Sequence, residues 1–443
     1  MPSPLSQRLA EIVGAPHVLT GAACAPYVVE GRSPDFAVFP GSKDEVAAVL
    51  AMAADSGVPV TPWGGGTRMG LGSPPAHPGL VLRLGRLARL VEHEPGDLTA
   101  TVGAGMTLET LQAALGRRGQ WLSLDPPEAA RATMGGILAS NASGPRRHLY
   151  GTARDLLIGL TMVLADGTVV RGGGKVVKNV AGYDLPKLAV GSFGTLGVIV
   201  EATVKLRPRP DCDRLVIARF QTLAEAGSGA RAVMASDLIP SALDLADAEA
   251  LSARDGAAGS DGAALLVGVD GLAEQVDWQC AELIRLLKDC GLSDWRLLDG
   301  EERDQAWRLL GRMALTVFPE GSAGMSWGVL PTQVAELMEQ GREIARRSGL
   351  RAALSAHAGV GIVSAVLGAA GAEARRVAET LAEWRALVNA SGGHALVEWA
   401  PLAVKERISV WDTPDPAHRI MKQIKAELDP RGILNPGRFV GGI

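Results

Sequence analysis

Three glycines in a row, Gly64, Gly65 and Gly66, stand where a short β-branched run at residues 58–61 ends, and that junction limits the folds open to this chain. Val58-Pro59-Val60-Thr61 reads as a strand. The loop Pro62-Trp63-Gly64-Gly65-Gly66-Thr67-Arg68-Met69-Gly70 therefore leaves a strand's carboxyl end, where α/β units place ligands. Without Cβ atoms, glycines take positive φ and let a ligand approach several N–H groups at once, so the natural guest is a phosphate or pyrophosphate. A tight surface turn would use glycines too, and the flanking sequence has to decide between the two.

Upstream, residues 37–39 form a strand candidate. Ser42-Lys43-Asp44-Glu45 has the spacing of a capping box opening a helix with Val46, Val49, Leu50 and Ala53 on one face and Gly57 at its end. Downstream, strands are expected at 80–84, 90–94 and 98–102, the last two turning at Pro95-Gly96-Asp97, and Thr107 caps a helix over Leu108, Leu111 and Leu115. No GxGxxG fingerprint with a downstream acid accompanies them, which argues against a Rossmann dinucleotide site.

Two further stretches share the glycine-rich character. Leu124-Asp125-Pro126-Pro127 leads into Ala132-Thr133-Met134-Gly135-Gly136-Ile137-Leu138-Ala139-Ser140-Asn141-Ala142-Ser143-Gly144, small nearly throughout. A flat, bulky group can lie against such a backbone, with Thr133, Ser140, Asn141 and Ser143 as hydrogen-bonding hands; a helix packed closely on a neighbour would use small residues equally. After a hairpin at Asp166-Gly167 and the segment at 175–185, Gly191-Ser192-Phe193-Gly194-Thr195-Leu196-Gly197 runs into a strand at 198–206, expected to offer an exposed edge to a heteroaromatic ring.

Composition narrows the classes. With 443 residues, 47% hydrophobic, the chain can bury more than one core; a net charge of −4 and 4% aromatics leave no basic footprint for nucleic acid. Cys24, Cys212, Cys280 and Cys290 are scattered without a CxxC pair, so no zinc or iron–sulfur ligand set is expected, and no apolar run of about eighteen residues predicts a membrane span.

Taken together, the three glycine-rich segments resemble flavoproteins of the vanillyl-alcohol-oxidase type, whose FAD-binding fold is shared with p-cresol methylhydroxylase. The resemblance covers about residues 36–209 and returns in Leu428-Asp429-Pro430-Arg431-Gly432-Ile433-Leu434-Asn435-Pro436-Gly437-Arg438, similar to the tail of the D-2-hydroxyacid dehydrogenase branch. It implies an α+β chain. After an entry segment at 1–35 comes a two-subdomain FAD-binding domain at 36–209, then an α+β cap with a ferredoxin-like antiparallel sheet plus helices at 210–400, then a tail at 401–443 that returns to the FAD site. It implies pyrophosphate contacts from Trp63, Gly64, Gly65, Gly66, Thr67, Arg68 and Met69. Isoalloxazine contacts would come from Asp125, Pro126, Thr133, Gly135, Gly136, Ser140, Asn141, Ala142 and Ser143. Adenine-side contacts would come from Gly194, Thr195, Leu196, Gly197, Val198 and Ile199, with Asn435 closing from the tail. Covalently attached members place a histidine in the loop; its absence here implies non-covalent FAD.

Within that branch, Lys175-Val176-Val177-Lys178-Asn179-Val180-Ala181-Gly182-Tyr183-Asp184-Leu185 most resembles the E-type subunits of bacterial glycolate oxidases. Catalytic members carry His-x-Gly-Asp-Gly-Asn in the cap and Gly-Glu-His-Gly before the tail, supplying a base and cation or metal ligands for a 2-hydroxy acid. Here the first is His357-Ala358-Gly359-Val360-Gly361-Ile362 and the second is Val397-Glu398-Trp399-Ala400. The remaining catalytic candidates are His357, read as a hydrogen-bonded core or interface residue, and Glu398; no metal set is expected. The resemblance implies an FAD-carrying subunit of a glycolate-oxidising complex, beside a catalytic flavoprotein and an iron–sulfur subunit. Such a subunit is expected in the cytoplasm or held peripherally at the inner membrane face through the complex. A stand-alone FAD-dependent D-2-hydroxyacid dehydrogenase and a structural subunit with a vestigial flavin site are the alternatives.

Overall fold

The computed structural model describes residues 4–175, 183–255, 262–318, 321–413 and 416–443, as two compact units. The first comprises Met1–Ser143, Thr152–Arg209 and Thr413–Ile443; the second comprises Gly144–Gly151 and Pro210–Asp412. Residues 401–412, read from sequence as the start of the tail, group with the second unit, because Val410 and Asp412 bind the backbone of Val397 and Ala395.

The first unit carries two sheets. In one the order is Val18–Thr20, Phe36–Val38, Leu80–Arg83, Val60–Trp63, antiparallel at the first pair and parallel at the other two. The helix Lys43–Ser56 begins as its spacing predicts: Ser42 Oγ accepts the Glu45 N–H at 3.1 Å, and Gly57 closes it at φ 63°. Its Val46, Val49, Leu50 and Ala53 pack with Val60, Leu80 and Leu82, each large side chain contributing about 1.5–3 kcal/mol. The chain's end completes this sheet. Val60 donates to Ile433 O at 2.8 Å and accepts from Asn435 N–H at 2.9 Å, so residues 433–435 flank the strand that delivers the glycine loop.

The other sheet is antiparallel throughout, in the order Leu90–Glu94, Thr99–Gly103, Val198–Lys205, Leu157–Val163, Val169–Gly173. The strand expected to offer an exposed edge is thus its central strand. Both of its sides are paired from Glu201 onward, and only Val198 and Ile199 run past the end of Thr99–Gly103. Strand alternation ties the two sheets together: Ile199, Ala202 and Val204 pack with the helices Leu108–Gly116 and Met134–Ser140, while Val198 and Val200 join the core of the first sheet.

The second unit is one antiparallel sheet of eight strands in the order Asp294–Leu298, Cys212–Phe220, Ala263–Gly271, Ala242–Asp247, Ala352–His357, Ile362–Gly368, Ser322–Gly328, His394–Trp399. Helices Leu223–Met234, Ala273–Lys288, Val334–Arg347 and Ala374–Ala390 bury one face; Ala248–Asp255 and Gly300–Thr316 lie on the other. Six of the strands are legible as β-branched or aliphatic runs. The two at the ends of the sheet are not. The loop tip read at 254–262 has its centre, 256–261, outside the described residues.

Asp247 is fully buried in this sheet and pushed up from 3.8 to about 6 by burial, against the opposing pull of the Ala250 N–H, Arg342 and the Leu354 N–H. Because its folded pKa lies above the unfolded one, Asp247 penalises the native state only when ionised. Its stability contribution is complete below pH 3.8 and is lost as pH rises to about 6. Asp247→Asn, which stays neutral, should therefore gain on the wild type by about 2 kcal/mol between pH 4 and pH 7. Denaturant titrations at the two pH values check this; a pH-independent difference would contradict it.

Candidate functional site

The glycine loop is held by its own neighbours. A Cβ on Gly64 would lie 2.2 Å from Thr133 Oγ1, and one on Gly65 would lie 1.8 Å from the Arg131 carbonyl oxygen. Gly66 alone of the three takes positive φ, at 75°, over the Trp63 indole. The sequence reading gives these glycines both positive φ and close approach of a ligand; at Gly65 the close approach is to the backbone at 131. Trp63 stands edge-on to Tyr27 at 5.5 Å, and Thr67, Arg68 and Met69 are half-buried in the turn that follows. A cavity of about 360 Å³ opens beside Gly65, lined among others by Arg83, Met106, Thr107, Arg131 and Thr133.

In the second segment, the small residues allow close helix packing on one side and leave another side open. Met134–Ser140 is a helix, and Gly135 packs against Ala104, with 2.8 Å from its ideal Cβ to that of Ala104. A Cβ on Gly136 would meet only Thr133, so that side of the helix is open. The four polar hands divide accordingly. Thr133 Oγ1 caps the helix by accepting the Gly136 N–H, and Ser140 Oγ donates to Gly136 O at 2.7 Å, so each hydroxyl already makes one bond within the helix. Asn141 Oδ1 and Ser143 Oγ are buried without a partner among the described residues. Asn141 ends the helix at φ 48°, Ala142 is buried beside it, and Asp125 and buried Pro126 lie in the coil that precedes it.

The third segment joins the second through backbone bonds, Gly191 N–H to Leu138 O and Phe193 N–H to Ala139 O. Phe193 and Gly194 both take positive φ, and Gly194 stands against Pro62 of the glycine loop. Thr195 Oγ1 donates to Ser192 O, and buried Leu196 and Gly197, the latter against Met162, lead into Val198 and Ile199. The tail locks these pieces. Asn435 Nδ2 donates to Phe193 O at 2.7 Å, while its buried Oδ1 has no partner among the described residues. Lys425 Nζ bonds Thr195 O, Leu434 O and the buried Asp429 carboxylate, which also accepts the Ile433 and Leu434 N–H groups.

Arg438, 1% exposed, donates to Met69 O at 2.7 Å and Leu71 O at 2.6 Å and lies over the Phe193 ring. Burial pushes its guanidinium down to about 10, with Glu30 pulling the other way, so it stays a cation at neutral pH. Sequence reading quoted Arg438 in its motif yet assigned it nothing; its position two residues after Pro436 was the available signal.

In the second unit, His357 Nδ1 donates to Asp244 at 2.9 Å, across the pairing of Ala242–Asp247 with Ala352–His357. His148, from the segment Gly144–Gly151, packs on Gly359; its buried Nδ1 has no hydrogen-bond partner among the described residues, and its pKa is lowered by burial against the pull of Asp244. The same segment anchors through Arg146, which pairs with Asp270 and Asp213 under the Trp307 ring, while Tyr150 bonds Asp270. Sequence reading closed its motif at Gly144 and missed both. Trp399 lies flat on Gly324 and donates to Ser322 Oγ at 2.9 Å; Glu398 precedes it on the same strand, half-buried. Val360 closes the short turn after His357, and Ile362 opens the next strand. Among the described residues no three His, Cys, Asp or Glu side chains group as a metal site. The segment resembling E-type subunits has its centre, 176–182, outside the described residues.

A family model described as FAD binding domain matches residues 34–173, and one described as the C-terminal domain of FAD linked oxidases matches residues 209–439. Glycolate oxidase subunit GlcD of Bacillus subtilis is 30% identical across 92% of this chain and 89% of its own length. D-lactate dehydrogenase of Archaeoglobus fulgidus is 32% identical across 94% of both chains. Among solved structures, p-cresol methylhydroxylase aligns with a TM-score of 0.79, covering 98% of this chain and 96% of that one at 18% identity, which establishes a shared fold. Among the described residues no helix is long and apolar enough to cross a membrane.

Proposed function

This chain belongs to the FAD-linked oxidase family and is an FAD-dependent oxidoreductase; from that premise we propose that it is a non-covalent FAD-bearing subunit of an assembly oxidising a small 2-hydroxy acid of the glycolate class. In this reading a partner flavoprotein is the principal site of substrate oxidation, and an iron–sulfur partner carries the electrons onward. The first unit's residues fit FAD. Asn141 Oδ1 and Ser143 Oγ on the second segment and Asn435 Oδ1 on the tail are buried polar atoms without a partner among the described residues, and the glycine loop packs its backbone on residues 131–133 beside that segment. Bound FAD would supply hydride acceptance; the chain's part is to hold it, with the loop N–H groups at the pyrophosphate and the Arg438 cation tying the loop to the tail.

The single observation that carries the subordinate catalytic role is Trp399. Its indole stands at the position that the resemblance gives to a histidine, spread on Gly324 and tied to Ser322, while Val360 and Ile362 offer no polar group to a hydroxy acid. Lacking a general base costs roughly 10²–10⁴ in rate, which leaves a trickle and not efficient turnover. One observation favours the second reading, an independent D-2-hydroxyacid dehydrogenase: His357 is oriented by Asp244, as a working base would be.

Three measurements separate these readings. Acid precipitation of the FAD-loaded protein should give a yellow supernatant and a colourless pellet, and anaerobic mixing with glycolate or D-lactate should leave its flavin oxidised. Natively expressed protein should co-purify with a second flavoprotein and a Cys-rich chain. Rapid stoichiometric bleaching that disappears in His357→Gln would instead establish the independent dehydrogenase, and failure to take up FAD on reconstitution would mark the site as vestigial.

A further inference from the structure

The eight-stranded sheet treats its two ends differently. At one end His394–Trp399 is covered: Val397 N–H donates to Val410 O at 2.9 Å and Ala395 N–H to Asp412 Oδ2 at 2.6 Å. At the other end Asp294–Leu298 pairs only with Cys212–Phe220, and among the described residues no strand takes its outer side. An end strand left this way presents a row of unpaired N–H and C=O groups, the template on which another strand adds.

Four of its five residues are exposed, including Trp295 at 44% and Leu297 at 40%. The register places both on the face of the helix Ala273–Lys288, since Trp295 opposes Ala218 and Leu297 opposes Val216, which pack with that helix. The same helix exposes Trp278 at 55%. Asp294 and Arg296 point to the opposite face.

We propose that this edge is where two copies of the chain pair, strand to strand, about a two-fold axis through Trp295. Facing side chains in antiparallel pairing must share a face, so a two-fold axis has to pass through a residue. Centred on Arg296, the pairing sets two guanidiniums opposite each other. Centred on Trp295, it sets Asp294 opposite the second copy's Arg296, twice, and the two indoles opposite each other on the other face. That self-complementarity is what an isologous interface requires. Arg296 is available for it, since its pairing with Glu302 within the chain is long, at 4.0 Å, and exposed. The inference is independent of the flavin reading and concerns a different unit.

Sedimentation equilibrium on the full-length, FAD-loaded protein tests it. The wild type should be a dimer. Asp294→Arg or Arg296→Asp alone sets like charges across the axis and should raise the dimer dissociation constant at least ~10-fold. The double exchange, Asp294→Arg with Arg296→Asp, should restore the wild-type value. Trp295→Glu, which opposes two carboxylates, should act like the single reversals and serves in their place if either fails to fold, as judged by flavin content and thermal transition. A wild type that remains monomeric at its highest soluble concentration, a dimer indifferent to these changes, or an edge occupied by a different polypeptide on a monomeric chain would each overturn the proposal.

Discussion

Gly65→Val is expected to give a folded second unit and a first unit that no longer retains FAD. Any Cβ at this position would lie 1.8 Å from the Arg131 carbonyl oxygen and 2.6 Å from its carbon, and neither is the tip of a side chain able to swing away. The loop must therefore lift off the 131–133 backbone, carrying with it the N–H groups proposed to hold the pyrophosphate. Overpacking of this kind costs about 3 kcal/mol, equivalent to ~100-fold in FAD affinity. Flavin absorbance per mole of purified protein reads the outcome. Gly96→Ala is the matched control, because a Cβ there meets nothing within 4 Å. A Gly65→Val protein that holds flavin as the wild type does would reduce the loop to a turn.

Arg438→Met should destabilise the same unit for a different reason. The methionine keeps most of the side chain's apolar packing against Phe193 but leaves Met69 O and Leu71 O, both bound by the guanidinium, without their donor. Each hydrogen bond to a charged group is worth about 1.5–3 kcal/mol, so the loss should be roughly 3–5 kcal/mol, or about 10 °C in the first thermal transition, with flavin released together with the loop. Arg438→Lys should recover only part of it, since the shorter lysine lacks the Nε–H aimed at Ser73 O and the planar group that lies over the Phe193 ring, although one nitrogen, Nη2, reaches both carbonyls here. Differential scanning calorimetry with and without added FAD measures both; an unchanged transition in the methionine variant would mean that other groups hold the tail.

These two residues also mark how far the sequence could be read. Gly65 was legible because an unusual composition at a strand's end has few physical explanations. The reason for it was only half visible: conformational freedom is a property of the residue, whereas close approach depends on where residue 131 comes to lie. The three glycine-rich segments were recognisable, but the allocation of their hydroxyls was not, because Thr133 and Ser140 bond within their own helix and only the helix boundary at Asn141 shows it. The strand from Val198 was read correctly in extent and wrongly in place, since a period-two pattern carries no information on how many neighbours a strand has. The two end strands of the large sheet escaped because one is mostly exposed and the other ends in Glu398 and Trp399, which draw attention as chemistry before they suggest a strand.

The bond between Val60 and residues 433–435 sets the order in which this protein can be completed as it is made. At ~5–20 residues per second, some tens of seconds separate the emergence of the glycine loop from that of Arg438, and the whole of Pro210–Asp412 is synthesised in between. Throughout that interval the second unit has all but the short piece Gly144–Gly151 contiguous in one stretch, whereas the first waits with the flank of its Val60 strand unpaired. Cofactor retention is thereby linked to residues made long after the loop they hold. A chain that stops short of residues 433–438 can bury most of its apolar surface yet lacks both the flank of the Val60 strand and the arginine that clasps the loop.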